Sequence, residues 1–243
     1  MISKNKLKEL AAYRLQKRCD EEAVFVVEGP KMAAEAMVSA FVIRTVCATA
    51  EWLSVHADSI VASETFEVSP TELERLSNFK TPNQVWMLLE RQQPKDCRNS
   101  KELILALDKI QDPGNLGTML RTADWFGIRH VMCSSDTVSC YNPKVVQSSM
   151  GAVFRTQVDY VDLPQWLASC GIPIYGASLQ GQPLNNTLTH TPAVLLIGNE
   201  SRGISPEAMS QVTHPVLIPN IGGTAESLNA AVAAGILMHW LAS

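Results

Sequence analysis

The sequence lacks the excess of basic residues that is typical of proteins that bind nucleic acids. Its 20 lysines and arginines are outnumbered by 24 aspartates and glutamates, and the formal net charge is −4. A whole-chain charge does not exclude a local basic patch. Between Lys4 and Arg18 there are six basic side chains and one acid, Glu9. This segment predicts either a phosphate-contacting surface or an ordinary solvated helix face, and charge alone favours the second.

Long apolar runs, an apolar leader and metal-binding patterns are also missing. The longest apolar stretch, Ala230 to Ala242, is interrupted by His239 and is too short for a membrane span. The residues from Met1 to Lys6 contain no signal-peptide core. The six cysteines form no CxxC pair. We therefore expect a cytoplasmic protein with free thiols, no metal site and no membrane partner.

Two common nucleotide-binding motifs are absent as well. The segment Asp112 to Gly117 does not have the GxGxxG spacing of a Rossmann oxidoreductase, and there is no P-loop. What remains is ordinary globular composition, with 46% apolar and 18% charged residues. The length of 243 residues is enough for two domains. The polar run around residues 93–100 predicts a linker between domains at 1–92 and 101–243.

In the second half, three short segments rich in glycine and asparagine follow strand-like apolar runs. The segments are Gln111–Gly117 with the nearby Arg121, Gly198–Gly203, and Ile218–Gly223 leading to Ser227–Asn229. The runs before them are Leu103–Leu107, Ala193–Ile197 and Val216–Ile218. Open α/β sheets bind ligands at the carboxyl ends of parallel strands, so we predict one composite site.

The alternation of strands and helices predicts an α/β protein, with a mostly parallel sheet in the C-terminal part covered on both faces. A small α/β domain is predicted ahead of it. Apolar spacing predicts single helices over residues 3–19 and Lys144–Phe154. Ser69 and Glu72 predict a capping box at the start of another helix.

The order and spacing of the three segments resemble the SpoU/TrmH family of RNA ribose 2′-O-methyltransferases, over about residues 103–242. That family belongs to the knotted SPOUT class. The resemblance implies a deep trefoil knot, a homodimer and S-adenosyl-L-methionine as cofactor. The basic first helix, Phe25–Gly29 and Lys31 resemble the L30e-like substrate-binding domain that precedes many such catalytic domains.

The activity implied by this resemblance is methylation of a ribose 2′-hydroxyl in structured RNA. The additional N-terminal domain favours ribosomal RNA over transfer RNA. Two alternatives stay open: a transfer RNA substrate, or a non-catalytic RNA-binding protein that has kept the knotted fold.

The resemblance also implies which residues form the site. The catalytic set is Asn115, Arg121, Glu200, Ser227 and Asn229. The cofactor-binding set is Ala177, Leu196, Gly198, Ile218, Asn220 and Leu228. The chain departs from the family at Asn220, where methionine is usual, at Gln147, where arginine is common, and at Ala230-Ala231 in place of valine-serine. Asn220 could alter the cofactor pocket, and Gln147 puts one RNA contact in doubt.

Residue chemistry adds expectations of its own. Asn115 and Ser227 are suitable helix N-caps. Gly117 and Arg121 are four residues apart and share a helix face, which predicts an open space where a guanidinium could bind a phosphate. The alternative is a surface ion pair between Arg121 and Asp124.

Overall fold

The computed structural model describes residues 2–94, 97, 100–183 and 192–242. Four residues of the predicted linker, 95, 96, 98 and 99, lie outside the described residues. Contacts divide the chain into two compact units. Unit 1 contains the residues up to Gln93 together with Tyr141–Phe154, and unit 2 contains Pro94–Cys140 and Arg155–Ser243. The segment Tyr141–Phe154 therefore groups with unit 1, although the division of the sequence at residues 93–100 placed it in the second domain.

Unit 1 is built on a four-stranded mixed sheet in the order β1-β4-β2-β3. β1 pairs antiparallel with β4, β4 pairs antiparallel with β2, and β2 pairs parallel with β3. Alternate residues of β1 enter separate apolar clusters, Phe25 and Val27 in one and Val24 and Val26 in the other, as expected for the two faces of a sheet. The strands are β1 Val24–Glu28, β2 Ile43–Ala48, β3 Ala62–Glu67 and β4 Val85–Glu90. The helices are α1 Lys4–Ala11, α2 Gln16–Glu21, α3 Pro30–Met37, α4 Ala50–His56, α5 Pro70–Leu76 and α7 Pro143–Ser148.

The prediction of one helix over residues 3–19 is wrong. α1 ends at Ala11, a 3₁₀ turn follows, and α2 begins only at Gln16. The break is at Leu15, whose backbone is extended and whose side chain is 68% exposed. Leucine spacing alone did not show that Leu15 points to solvent, because a buried leucine and an exposed one look alike in sequence. The capping box of Ser69 and Glu72 at α5 is confirmed.

Unit 2 is built on a six-stranded sheet in the order β10-β8-β9-β5-β6-β7. Each strand of this sheet is parallel to its neighbours. This confirms the predicted α/β class with a mostly parallel sheet, while the knot stays a prediction. The strands are β5 Leu103–Leu107, β6 His130–Ser134, β7 Gln157–Val161, β8 Ile174–Pro183, β9 Ala193–Ile197 and β10 His214–Leu217. The helices are α6 Pro113–Trp125, α8 Leu163–Ser169, α9 Pro206–Met209 and α10 Ala230–Ala242.

The predicted helix over Lys144–Phe154 is also wrong beyond its first turns. α7 ends at Ser148, and Met150 and Gly151 both have positive φ, which no α-helix accommodates. Gly151 has a φ of +94°, which strains any larger residue, and a Cβ atom there would also displace the side chain of Glu35, whose Cδ would lie at 2.7 Å.

All six cysteines are buried, so they pack as small apolar residues. Within the part of the chain that the structure describes, no group of histidine, cysteine and carboxylate side chains is placed to hold a metal ion. No helix among the described residues has both the length and the apolar character needed to cross a membrane.

Candidate active site

The three predicted segments follow β5, β9 and β10, and one side chain from each is linked by hydrogen bonds. Asn115, in the first turn of α6, donates from Nδ2 to Oε1 of Glu200 over 2.5 Å. Its Oδ1 accepts from Nδ2 of Asn229 at 3.0 Å. The amide of Asn115 therefore bridges the loop after β9 and the start of α10. These three predicted catalytic residues lie together.

Two of the predicted helix caps are wrong. Asp112, and not Asn115, caps α6, since its Oδ1 accepts from the backbone N–H of Asn115 at 2.8 Å. α10 begins at Ala230, and Oδ1 of Asn229 accepts the backbone N–H of Ala231 at 2.9 Å. Ser227 lies two residues before that cap. Because Asp112 and Asn229 satisfy the helix ends, the side chains of Asn115 and Ser227 are not needed for that purpose.

Arg121 is exposed on α6, and its side chain has no hydrogen-bond or ion-pair partner among the described residues. The alternative pairing with Asp124 is wrong, because Asp124 accepts from Nε of Arg155 at 2.9 Å. Gly117 is buried, so it does not leave exposed space beside the guanidinium as expected. Arg121 therefore presents an unpaired positive charge to its surroundings.

The loop after β9 is held by Asn199, which is not among the predicted catalytic or cofactor-binding residues. Its Oδ1 accepts from the backbone N–H of Ser201 at 2.9 Å and of Arg202 at 3.2 Å. Its Nδ2 donates to the backbone carbonyl of Lys109 at 2.9 Å, in the loop after β5. Asparagine commonly orders turns through such bonds, so the run Gly-Asn-Glu contained the signal.

Gly198 has a structural reason to be glycine. A Cβ atom at this position would lie 2.2 Å from the backbone carbon of Gly203 and 2.2 Å from the backbone nitrogen of Ile204. The loop closes tightly on itself, with backbone hydrogen bonds in both directions between Asn199 and Gly203. Glycine here allows the carbonyl and amide groups of the loop to stay close to the end of β9.

Two cavities adjoin these loops. The first, of about 460 Å³, is lined by Ala177, Ile218, Asn220 and Leu228 of the predicted cofactor set. The second, of about 500 Å³, is lined by Gly198, Glu200 and again by Ala177 and Leu228. Ser227 and Glu226 line both cavities. Leu196, also predicted to contact the cofactor, is fully buried in β9 and lines neither of the two.

The departure at Asn220 has a local explanation. Oδ1 of Asn220 accepts the backbone N–H of Gly223 at 2.7 Å, and Nδ2 donates to the carbonyls of Gly223 at 3.1 Å and Ala225 at 3.3 Å. The side chain therefore closes the loop after β10 upon itself. A methionine would make none of these bonds.

The first cavity fits a ligand with a flat apolar part and a few polar edges. Leu179, Val216, Ile218 and Leu237 supply apolar wall, and the backbone of the loop after β10 supplies amide and carbonyl groups. Its volume is within the range of small-molecule sites, about 300–1,000 Å³. The adenosine part of S-adenosylmethionine has this character.

Comparison with known families decides the assignment. Residues 102–239 match the SpoU rRNA Methylase family, and residues 4–86 match the MRM3-like substrate binding domain. The chain belongs to the SpoU rRNA methylase family. This confirms the family predicted from the three segments.

Several known proteins and structures are similar to this chain over nearly its whole length. The 23S rRNA (guanosine(2553)-2′-O)-methyltransferase RlmP of Bacillus subtilis is 29% identical over 97% of this chain and 95% of its own. A Porphyromonas gingivalis structure assigned to the TrmH family of RNA methyltransferases is 38% identical, with a TM-score of 0.88, over 99% of this chain and 98% of that one. An rRNA methyltransferase of Sinorhizobium meliloti with bound AdoMet is 26% identical, with a TM-score of 0.83, over 99% and 95%.

Proposed function

We propose that the chain transfers a methyl group from S-adenosylmethionine to a ribose 2′-hydroxyl of ribosomal RNA. The observation that carries this proposal is the link from Asn115 to Glu200 and Asn229 beside the cavity at the end of β10, in a SpoU-family chain. RlmP, with its matching length, is named as a ribosomal RNA 2′-O-methyltransferase. The S. meliloti relative holds the proposed cofactor. The expected cytoplasmic location follows from this substrate.

The residues divide into two roles under this proposal. Ala177, Ile218, Asn220 and Leu228 hold the cofactor in the first cavity. When bound, S-adenosylmethionine supplies an electrophilic methyl group. Ser227 borders both cavities, which supports a role for its hydroxyl between the cofactor and the ribose.

Arg121 acts on the RNA in this scheme. A guanidinium stays protonated in proteins, so it does not take the proton of the 2′-hydroxyl. Its charge instead stabilises the oxyanion that develops as that proton passes to solvent water and the methyl group moves from sulfur to the ribose oxygen. Glu200 and Asn229, joined through Asn115, keep the loops after β9 and β10 in register with α6.

The active form is proposed to be a homodimer. Trp125 on α6 is 84% exposed and Val232 on α10 is 52% exposed, and these two helices pack against each other. Exposed apolar side chains on neighbouring helices favour contact with a second copy. Sedimentation should show a dimer that Trp125→Glu and Val232→Glu convert to monomer, whereas Val61→Glu, at an 85% exposed position of unit 1, leaves it intact. A fully active monomer would rule out this assembly.

The test of the activity combines calorimetry with mapping of ribose methylation. The purified chain should bind S-adenosylmethionine and should methylate ribosomal RNA from a strain that lacks its gene, at one ribose that is unmodified in that strain. Binding of RNA without binding of S-adenosylmethionine would support the non-catalytic alternative. Methylation of transfer RNA alone would support the other alternative.

A further inference from the structure

Unit 1 contains a cavity of its own, of about 570 Å³, that the proposed reaction does not use. Its walls include Glu28 and Lys31 near the end of β1, Phe79, Thr81 and Asn83 after α5, and Gln147 on α7. All of these residues belong to unit 1. Its volume lies in the range of small-ligand sites, about 300–1,000 Å³.

The wall formed by the segment after α5 is fixed by Glu28, which is only 7% exposed. Its Oε2 accepts the hydroxyl of Ser77, and its Oε1 accepts the backbone N–H of Asn78 at 2.9 Å and the side-chain amide of Asn78 at 3.3 Å. These bonds hold the segment against the end of β1. The role of Glu28 is therefore to shape this wall.

The cavity presents polar groups that are not used inside the protein. The side chains of Thr81, Asn83 and Gln147 have no hydrogen-bond partner among the described residues. A hydroxyl and two amides provide both donors and acceptors. Phe79 adds a half-buried aromatic ring. Stacking on an aromatic ring together with hydrogen bonds to an edge is how proteins recognise unstacked RNA bases.

The charges around the cavity do not favour a phosphate as its occupant. The wall contains one acidic and one basic residue, Glu28 and Lys31, so the cavity has no excess positive charge to hold a phosphate, whereas a neutral ring with N–H groups is tolerated there. Lys80, which does not line the cavity, is exposed and available to phosphates outside it. The departure at Gln147 is consistent with this division, because a neutral amide replaces the arginine that is common in the family.

We propose that this cavity receives one unstacked base of the RNA substrate, with Phe79 stacking on it and with Asn83 and Gln147 hydrogen-bonded to its edge. This inference rests on the proposed RNA substrate. The basic segment of α1 and α2 contributes no residue to the described walls of this cavity. Part of the charge of that segment is already neutralised, since Lys6 pairs with Glu64 at 2.8 Å and Arg18 pairs with Glu22.

The test uses the full chain and large-subunit ribosomal RNA transcribed in vitro. The double variant Asn83→Ala with Gln147→Ala should raise KM for RNA, and the dissociation constant of the RNA, about 10- to 100-fold. The rate at saturating RNA and the affinity for S-adenosylmethionine should not change. The matched control is Asn5→Ala with Gln165→Ala, which removes one exposed side chain of each type outside the cavity and should match the parent.

A second variant, which fills the cavity, distinguishes a loss of RNA binding at the cavity from misfolding of the double variant. Thr81 is exposed, so Thr81→Trp should fill the cavity without disturbing the core, and it should weaken RNA binding as the double variant does. Parental RNA affinity in both variants would overturn the inference, while methylation by the parent would leave the proposed function standing. If the parent binds S-adenosylmethionine but methylates no RNA, the proposed function fails, and the RNA dissociation constants still decide this inference.

Discussion

Asn115 uses both ends of its side-chain amide, so its replacement by aspartate is informative at the scale of a single residue. Asn115→Asp would place a second carboxylate beside Oε1 of Glu200, where Nδ2 now donates over 2.5 Å. Two adjacent carboxylates repel each other, which raises the pKa of one of them, so that this group takes up a proton as the pH is lowered. Methyl transfer should therefore fall at neutral pH and partly recover as the pH is lowered, because the protonated acid donates again.

The measurement for Asn115→Asp is the pH–rate profile. Asn142→Asp is a matched control, because Asn142 caps α7 and aspartate caps a helix equally well. That control should follow the wild-type profile. A profile of Asn115→Asp that runs parallel to wild type would show that the contact with Glu200 does not govern the reaction.

The exposed guanidinium of Arg121 separates chemistry from cofactor binding. Arg121 lines neither cavity of unit 2, so Arg121→Ala should leave the affinity for S-adenosylmethionine almost unchanged. Methyl transfer should fall by about 10²–10³ if the charge stabilises the transition state. Arg121→Lys should recover little, since an ammonium does not reproduce the planar fork. Single-turnover kinetics and calorimetry measure the two effects. A defect confined to cofactor affinity would contradict this role.

At the scale of single elements, the loop after β9 depends on close contact between its own backbone segments. Gly198→Ala would force a Cβ atom to within 2.2 Å of the backbone at Gly203 and Ile204. The loop would have to open, at a cost of about 1–3 kcal/mol in the free energy of unfolding, and binding of S-adenosylmethionine should weaken with it. Thermal unfolding and calorimetry on one sample measure both.

Gly235→Ala is the matched control for Gly198→Ala. Gly235 lies inside α10, and an added Cβ atom would be 3.7 Å from Cγ2 of Thr122, an ordinary contact. Alanine is the better helix former, so this variant should gain about 0.5–1 kcal/mol of stability. If the two variants had the same free energy of unfolding and the same affinity for S-adenosylmethionine, the tight loop at Gly198 would not be required for stability or for cofactor binding.

The sequence indicated the elements around the site better than it indicated their ends. The strands Leu103–Leu107 and Ala193–Ile197 have the predicted bounds, because continuous apolar runs mark buried parallel strands clearly. The caps of α6 and α10 were assigned wrongly. Asp112, Asn115, Ser227 and Asn229 are all competent caps, and only the backbone geometry decides between them.

The bridge through Asn115 was predicted only as a set of residues from three loops. Its hydrogen bonds join positions 85 and 114 residues apart in sequence, and no local pattern specifies such a pairing. The tight turn at Asn199 is different, because the run Gly-Asn-Glu is a local pattern that indicates such a turn. The cavity of unit 1 was not foreseen, because its walls come from β1, α7 and the segment after α5.

At the scale of the whole molecule, the chain leaves unit 2 after Cys140, contributes to unit 1, and returns to unit 2 at Arg155. Val146, Val153 and Phe154 are buried in the same apolar cluster as Phe25 and Phe41. The residues of this segment are as apolar as those of an ordinary buried helix. Composition therefore did not reveal which unit it packs in.

Truncation tests this arrangement. A chain that begins at Lys101 keeps every residue that lines the two cavities of unit 2, so it should bind S-adenosylmethionine within about tenfold of the full chain. The segment Tyr141–Phe154 would lose the apolar cluster that orders it, and α7, with only six residues, is too short to be stable alone. Trypsin should then cleave rapidly after Lys144 in the truncated chain and slowly in the full chain. A truncated chain that folds by circular dichroism but does not bind S-adenosylmethionine would show that the cofactor site needs unit 1. Equal resistance of Lys144 in both chains would show that the segment is ordered without it.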